Sequence, residues 1–141
     1  MALLNEQIRS QVQKELQTLT KKVKLIVFTQ QIECPTCAQN TSLAQEVASL
    51  SDLIELETYN FQIDKEKAEQ YGVDKIPAMV VEGDKDYGIR FYGVPGGYEF
   101  TSLLEAIKNV SSGKHDLSES TLQQISALSQ PLHIQVFATP T

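Results

Sequence analysis

Cys34-Pro35-Thr36-Cys37 is the stretch that decides the fold, because it holds the chain's two cysteines three residues apart. The mainly apolar run 23–28 precedes this motif, and the helix-like run 38–50 follows it. A strand that leads into a CxxC motif at the start of a helix is the context in which the motif indicates redox chemistry. The sequence therefore predicts two thiols that form and break a disulfide.

Composition and charge exclude several classes of protein. The chain has 141 residues, of which 41% are hydrophobic and 21% charged, so it can form one domain with a core. Its net charge of −6 is spread out and no basic cluster is present, so neither nucleic acid nor a membrane is an expected partner. The N-terminal residues lack the basic segment of a signal peptide, so we expect a cytoplasmic protein. Cysteine pairs in that compartment are more often catalytic or metal-binding than structural.

The hydrophobic pattern predicts the order α-β-α-β-α-β-β-α for the first 112 residues. The predicted elements are a helix over 4–19, a strand over 23–29, a helix over 38–50, a strand over 53–59, a helix over 64–71, a hairpin over 76–82 and 87–92, and a helix over 100–110. A parallel β-α-β unit followed by an antiparallel hairpin and a last helix predicts a mixed four-stranded sheet. We expect an α/β fold with helices on both faces of this core sheet, plus the N-terminal helix and strand.

The last part of the chain repeats the pattern of its beginning. Residues 113–141 contain a linker, a predicted helix and a predicted strand over 133–138, and a shift of 109 residues aligns Phe28 with Phe137. The same shift places the counterpart of Cys34 just beyond Thr141. We therefore expect residues 1–112 to form one unit and residues 113–141 to begin a truncated second unit. The alternative is a C-terminal helix and edge strand whose similarity arises by chance.

The two thiols have different predicted roles in exchange. An attacking thiolate needs a second thiol to resolve the mixed disulfide. The positive end of the helix dipole favours a thiolate at Cys34, and in such sites the thiol pKa falls to about 3.5–7.5. Cys37, one turn further, would be the more buried, resolving thiol. Pro35 suits a first helical turn, where no N–H is needed, and the charge of Glu33 works against the thiolate.

Pro77 begins the first strand of the predicted hairpin. Such a proline either simply starts the strand or forms a cis peptide bond beside the cysteines. Next to a CxxC motif in this topology the cis form is favoured. A cis bond would leave the backbone of Ile76 free to pair with an extended substrate segment.

Four stretches together resemble the thioredoxin/glutaredoxin superfamily: Cys34-Pro-Thr-Cys37, Tyr71-Gly-Val-Asp-Lys-Ile-Pro77, Glu82-Gly-Asp-Lys-Asp-Tyr-Gly88 and Gly93-Val-Pro-Gly-Gly-Tyr-Glu-Phe100. The resemblance is greatest to the N-terminal unit of the glutaredoxin-like protein disulfide oxidoreductases. Those proteins carry two tandem thioredoxin folds, each with its own CxxC. The resemblance covers essentially the whole chain.

This resemblance implies dithiol–disulfide exchange on protein substrates, through the redox-active disulfide and without an organic cofactor. A thioredoxin-reductase-like protein is the implied electron donor. The implied site consists of Cys34 as nucleophile, Cys37 as resolving thiol, and Pro35, Thr36, Ile76 and cis Pro77 as substrate-binding residues. Thioredoxins carry a buried aspartate before the motif, but this chain has apolar residues around Phe28. Glu57 on the next strand is then the candidate proton acceptor for Cys37.

Two other function classes remain open. A thioredoxin-like module can bind partners without catalysis, although the intact CxxC argues against that interpretation. A homodimer could alternatively share a metal ion or iron–sulfur cluster between two CxxC motifs, since a structural zinc site normally needs four ligands. His115 and His133 have no ligand spacing to the cysteines, so no metal site is predicted within one chain. The direction of exchange does not follow from the sequence, because it depends on the reduction potential.

Overall fold

A mixed four-stranded sheet forms the centre of the protein. The computed structural model describes residues 2–139 and contains β1 (Val23–Thr29), β2 (Ile54–Asn60), β3 (Ala78–Glu82) and β4 (Ile89–Tyr92). The order across the sheet is β2-β1-β3-β4. β1 pairs in parallel with β2 and antiparallel with β3, which pairs antiparallel with β4. The predicted mixed sheet is confirmed, and the strand that follows the N-terminal helix is β1 itself, one of these four.

Five helices accompany the sheet within the described residues. They are α1 (Glu6–Leu16), α2 (Cys37–Ala48), α3 (Lys65–Gln70), α4 (Glu99–Ser112) and α5 (Glu119–Ser126). The first four match predicted helices, with ends displaced by up to three residues. None of these helices is long and apolar enough to cross a membrane.

The sheet is covered on both faces, as predicted. Alternate residues of a strand point to opposite faces, and Leu25 and Val27 of β1 pack in the core that α1, α2 and α4 share. Ile26 and Phe28 point the other way, into a smaller core that includes Ala68 of α3. These four β1 residues are inaccessible to solvent, which explains why β1 is a nearly continuous apolar run rather than an alternating one.

Hydrogen bonds of Ser111 connect the last turn of α4 to the loop between α1 and β1. Its buried hydroxyl accepts the backbone N–H groups of Thr20 and Lys21, both at 3.0 Å, and donates to the Lys21 carbonyl at 2.8 Å. Gly113 then ends α4 with φ of 67°, a left-handed conformation that glycine adopts without steric strain. Helix α4 therefore ends at Gly113.

The segment after Gly113 contributes no buried side chain. α5 is formed, with Ser118 as its N-cap, but among residues 114–139 only Thr121 is even half-buried. The strand predicted over 133–138 is not formed: residues 131–139 have no regular structure. The physical reason is that a strand needs a partner for its backbone groups, and here it has none among the described residues. Pro140 and Thr141, the last residues of the proposed second unit, lie outside the described part of the chain. The division at residue 112 stays a prediction.

Candidate active site

The topology brings the CxxC motif and Pro77 to the same end of the sheet. β1 ends at Thr29, and the chain then leads through a short loop to Cys34. β3 runs antiparallel to β1 and begins at Ala78, which lies opposite Phe28 near that same end. The Asn40 side chain in the first turn of α2 spans this space, since its Nδ2 lies 3.5 Å from the Ala78 carbonyl oxygen. The structure therefore places Pro77 beside the start of α2.

Cys34 and Cys37 form a disulfide in the structure, with their Cα atoms 5.4 Å apart. The two cysteines differ in accessibility: Cys34 is half-buried, whereas Cys37 is only 1% exposed. A substrate disulfide can therefore contact Cys34, whereas the surrounding protein shields Cys37. This asymmetry agrees with the predicted division into an attacking and a resolving thiol.

The position of Pro35 relative to α2 differs from the expectation. The helix begins at Cys37 with Thr36 as N-cap, so Pro35 precedes the helix instead of occupying its first turn. Residues 34–37 form a tight turn, in which the Cys37 N–H lies 3.4 Å from the Cys34 carbonyl oxygen. Cys34 consequently lies ahead of the helix, on the side of its positive dipole end. Pro35 and Thr36 are both exposed, so they are accessible to a bound substrate.

The Ile76–Pro77 peptide bond is cis, as predicted. Pro77 is buried, and its carbonyl accepts the Gly93 N–H at 2.9 Å. The Ile76 side chain packs against the smaller core. Its backbone N–H and C=O have no hydrogen-bond partner among residues 2–139. These two groups are therefore available to the backbone of an extended peptide.

Glu57, the predicted proton acceptor for Cys37, forms its hydrogen bonds with other residues, and its role in proton transfer stays a prediction. It lies opposite Ile26 in the register of β1 and β2, on the face that α3 covers, whereas α2 packs on the other face. Glu57 instead forms a 3.0 Å ion pair with Lys24 and accepts the Tyr59 hydroxyl at 2.8 Å. These two hydrogen bonds hold the pKa of Glu57 below its usual value, so it is a poor proton acceptor.

Three residues near the motif have structural features that were not predicted from the sequence. Glu33 has φ of 60°, which is unusual for a residue with a side chain. Ile32 is 75% exposed although it is apolar. Asn40 is completely buried. The signal for Asn40 was its spacing, because residues i and i+3 of a helix lie on one face and Cys37 precedes it by three.

Other parts of the described chain do not add to this site. Within residues 2–139, no group of three or more His, Cys, Asp or Glu side chains is arranged to hold a metal ion. A cleft of about 620 Å³ runs along β4 beside residues 132–137. Neither cysteine nor Pro77 lines that cleft, so it is separate from the disulfide.

An accessible CxxC disulfide beside a cis proline, on a four-stranded mixed sheet with helices on both faces, defines a thiol–disulfide oxidoreductase with a thioredoxin-like fold. The family model described as thioredoxin matches residues 3–94. The chain belongs to the thioredoxin family. The expected fold and oxidoreductase activity are thereby confirmed.

Curated relatives include small and large proteins. The chain is 35% identical over 88 residues to a thioredoxin of Methanocaldococcus jannaschii, an alignment that covers 62% of this chain and 94% of that protein. It is 27% identical over 140 residues to an NADH dehydrogenase of Bacillus subtilis, which covers 99% of this chain and 25% of that protein. An 88-residue part of the chain thus aligns with nearly all of a small thioredoxin, and almost the whole chain aligns with about a quarter of a larger protein.

Solved structures with a similar fold also belong to longer chains. The NTD_N/C domain of the alkylhydroperoxide reductase AhpF from Enterococcus faecalis has a TM-score of 0.80 at 33% identity, covering 90% of this chain and 62% of that one. A protein disulfide oxidoreductase from Aeropyrum pernix has a TM-score of 0.79 at 23% identity, covering 90% and 57%. The second similarity concerns the fold alone. Both structures are longer than this chain, which spans about three fifths of each.

Proposed function

We propose that the protein exchanges electrons with disulfides of protein substrates through Cys34 and Cys37. In the reducing direction the Cys34 thiolate attacks a substrate disulfide, and one substrate sulfur leaves with the electron pair. Cys37 then loses its proton to solvent and attacks Cys34 Sγ, which breaks the mixed disulfide and releases the second substrate sulfur. Two electrons pass to the substrate, and the Cys34–Cys37 disulfide forms. The observation that carries this proposal is the difference in accessibility between the two cysteines.

A pair of variants tests the roles. Cys37→Ser keeps the accessible nucleophile and removes the resolving thiol, so it should accumulate a mixed disulfide with a disulfide-bonded peptide. Cys34→Ser leaves only the shielded thiol and serves as the matched control, which should trap little. Non-reducing mass spectrometry measures both adducts, and insulin reduction by dithiothreitol measures turnover. Equal trapping by the two variants would contradict the assignment, and a wild-type protein without turnover would contradict the function.

The substrate surface is proposed to comprise Pro35, Thr36, Ile76 and Pro77, with Ile32 as an apolar contact. Its support is the unpaired backbone of Ile76, the exposure of the residues between the cysteines and the exposure of Ile32. Ile32→Ser should raise KM for insulin severalfold without changing the alkylation rate of Cys34. Ile134→Ser, which changes an isoleucine of similar exposure (80%) in the C-terminal segment, is the control. Equal KM values for both variants and wild type would exclude Ile32 from the surface.

We also propose that the protein acts in the cytoplasm. Its electron donor is proposed to be a thioredoxin-reductase-like protein. The proposed donor is supported by relatives whose names include a reductase subunit and an NADH dehydrogenase. The reduction potential of the Cys34–Cys37 couple tests the direction. A value near −270 mV is typical of thioredoxin, whereas values near −120 mV are typical of an oxidant.

Residues 113–141 are proposed to begin a second thioredoxin-like unit. α5 presents Leu122 and Ile125 to solvent although its pattern is amphipathic, as expected for a helix whose packing partner is elsewhere. The alignment with the larger B. subtilis relative also includes this segment. Reading the coding sequence past Thr141 tests the proposal: a second CxxC should follow within a few residues. An immediate stop codon would refute it.

A further inference from the structure

Asn40 presents a buried polar group that the fold does not explain. Its side chain is inaccessible to solvent, and its Oδ1 has no hydrogen-bond partner among residues 2–139. Leaving a buried acceptor unpaired is unfavourable, and in native proteins such groups are rare. The Ala78 carbonyl gives the amide nitrogen of Asn40 a structural partner, whereas the amide oxygen has none among the described residues. The unpaired oxygen therefore points to a partner that is present in another state of the protein.

The orientation of the amide follows from its other contact. Nδ2 lies 3.5 Å from the Ala78 carbonyl oxygen, a long hydrogen bond. Because that carbonyl can only accept, the NH₂ group must face it, and Oδ1 must point elsewhere. Side chains on a helix lean toward the preceding turn. For Asn40 that turn begins with Cys37, which lies on the same helical face and is also buried.

We propose that Asn40 Oδ1 accepts a hydrogen bond from the Cys37 thiol when the disulfide is reduced, so that Asn40 is a positioning residue for the resolving step. A thiol S–H is a weak donor, whereas a disulfide sulfur has no proton to give. The acceptor is thus paired in the dithiol state and unpaired in the disulfide state. Asn40 itself takes no proton: the proton leaves Cys37 for solvent when its sulfur attacks Cys34 Sγ.

This arrangement has a consequence for the equilibrium between the two states. The hydrogen bond stabilises the dithiol, and the orphaned oxygen destabilises the disulfide, so Asn40 shifts the couple toward reduction of the protein. Asn40→Leu removes the acceptor at similar size. This variant should shift the redox equilibrium constant with glutathione about tenfold toward the disulfide, which corresponds to a reduction potential about 30 mV more negative. Asn40→Ala should shift it in the same direction, and provides the test if the leucine variant fails to fold.

The thiol itself gives a second readout that packing alone would not move. In a Cys34→Ser background Cys37 is the remaining thiol, and its infrared S–H stretching band reports hydrogen bonding directly. The band should lie at lower frequency with Asn40 than in Cys34→Ser/Asn40→Leu. Gln39→Ala, which changes an exposed amide in the same turn, should alter neither the band nor the potential.

An unshifted S–H band, or a redox equilibrium constant with glutathione within twofold of wild type in both Asn40 variants, would overturn the inference. The inference rests on the proposed exchange reaction, but its failure is distinguishable. If wild type does not reduce insulin, the proposed function fails. If wild type reduces insulin and the Asn40 variants match its redox equilibrium and S–H band, only the role of Asn40 fails.

Discussion

Glu33, the residue before the nucleophile, combines an unfavourable backbone conformation with an unfavourable charge. Its φ of 60° lies in the left-handed region, which costs a residue with a side chain about 1–2 kcal/mol. Glycine adopts this conformation without that cost, but its greater freedom in the unfolded chain offsets about 0.4–1 kcal/mol. Glu33→Gly should therefore raise the free energy of unfolding by about 0.5–1 kcal/mol, or Tm by about 2–4 °C in a protein of this size.

The matched control is Glu33→Gln, which removes the charge and keeps the side chain in the same conformation. It should unfold at the wild-type urea concentration, whereas Glu33→Gly should unfold at a higher one. Both variants should react faster than wild type with iodoacetamide at pH 7 after reduction, because a negative charge no longer opposes the Cys34 thiolate. The two measurements thus separate strain from charge.

A clear result would refute this reasoning. If Glu33→Gly is no more stable than Glu33→Gln in the disulfide form, the loop carries no strain at this residue. If the alkylation rates of all three proteins agree, the Glu33 charge does not reach Cys34. A destabilised Glu33→Gly variant would show that the Glu33 side chain makes contacts that outweigh the backbone strain.

Three further perturbations follow from particular contacts. Ser111→Ala leaves two N–H groups and one carbonyl without their partner and should lower the free energy of unfolding by about 1–3 kcal/mol in urea titration; an unchanged midpoint would contradict this. Arg90 hydrogen bonds to Asp86 at 2.6 and 2.8 Å and lowers the pKa of that carboxyl group. The Asp86 carboxylate therefore adds stability above its unfolded pKa of about 3.9, and this contribution disappears as the pH falls through the lower, folded pKa. Asp86→Asn should be less stable at pH 6 by about 0.5–1 kcal/mol, and the difference should vanish toward pH 2; a difference independent of pH would contradict the pairing. Removal of residues 114–141 should change Tm by less than about 2 °C, because side chains there bury almost no surface; a larger loss in calorimetry would show that the segment packs on the first unit.

Much of the fold was predictable because its signals are local. β1 was assigned residue for residue, since an apolar β-branched run bounded by polar residues has few alternatives. The cis form of Pro77 was predictable from its position at a strand start in a chain with CxxC. Pro35 was placed inside the helix because proline is common in first helical turns, whereas here it lies in the turn between the cysteines, just before α2.

Other features depend on tertiary structure. The pattern of β2 identified a strand but not which face Glu57 would occupy, because both faces of that strand are partly polar. The apolar residues of 133–138 suit a strand, yet pairing requires a neighbour that the sequence does not specify. The burial of Asn40 also depends on how α2 lies over the start of β3, a contact between residues 38 positions apart.

The complete burial of Leu25–Phe28 means that the central strand and the loop ahead of Cys34 should differ in their backbone dynamics. These four residues are paired on both sides, by β2 and β3, whereas Gln31, Ile32 and Glu33 are exposed. Backbone amides of β1 should exchange with deuterium only through global unfolding, in the disulfide and in the dithiol. Amides in the loop ahead of Cys34 should exchange by small local openings, at rates that depend on the oxidation state. The protein can therefore undergo many catalytic cycles while its centre stays rigid.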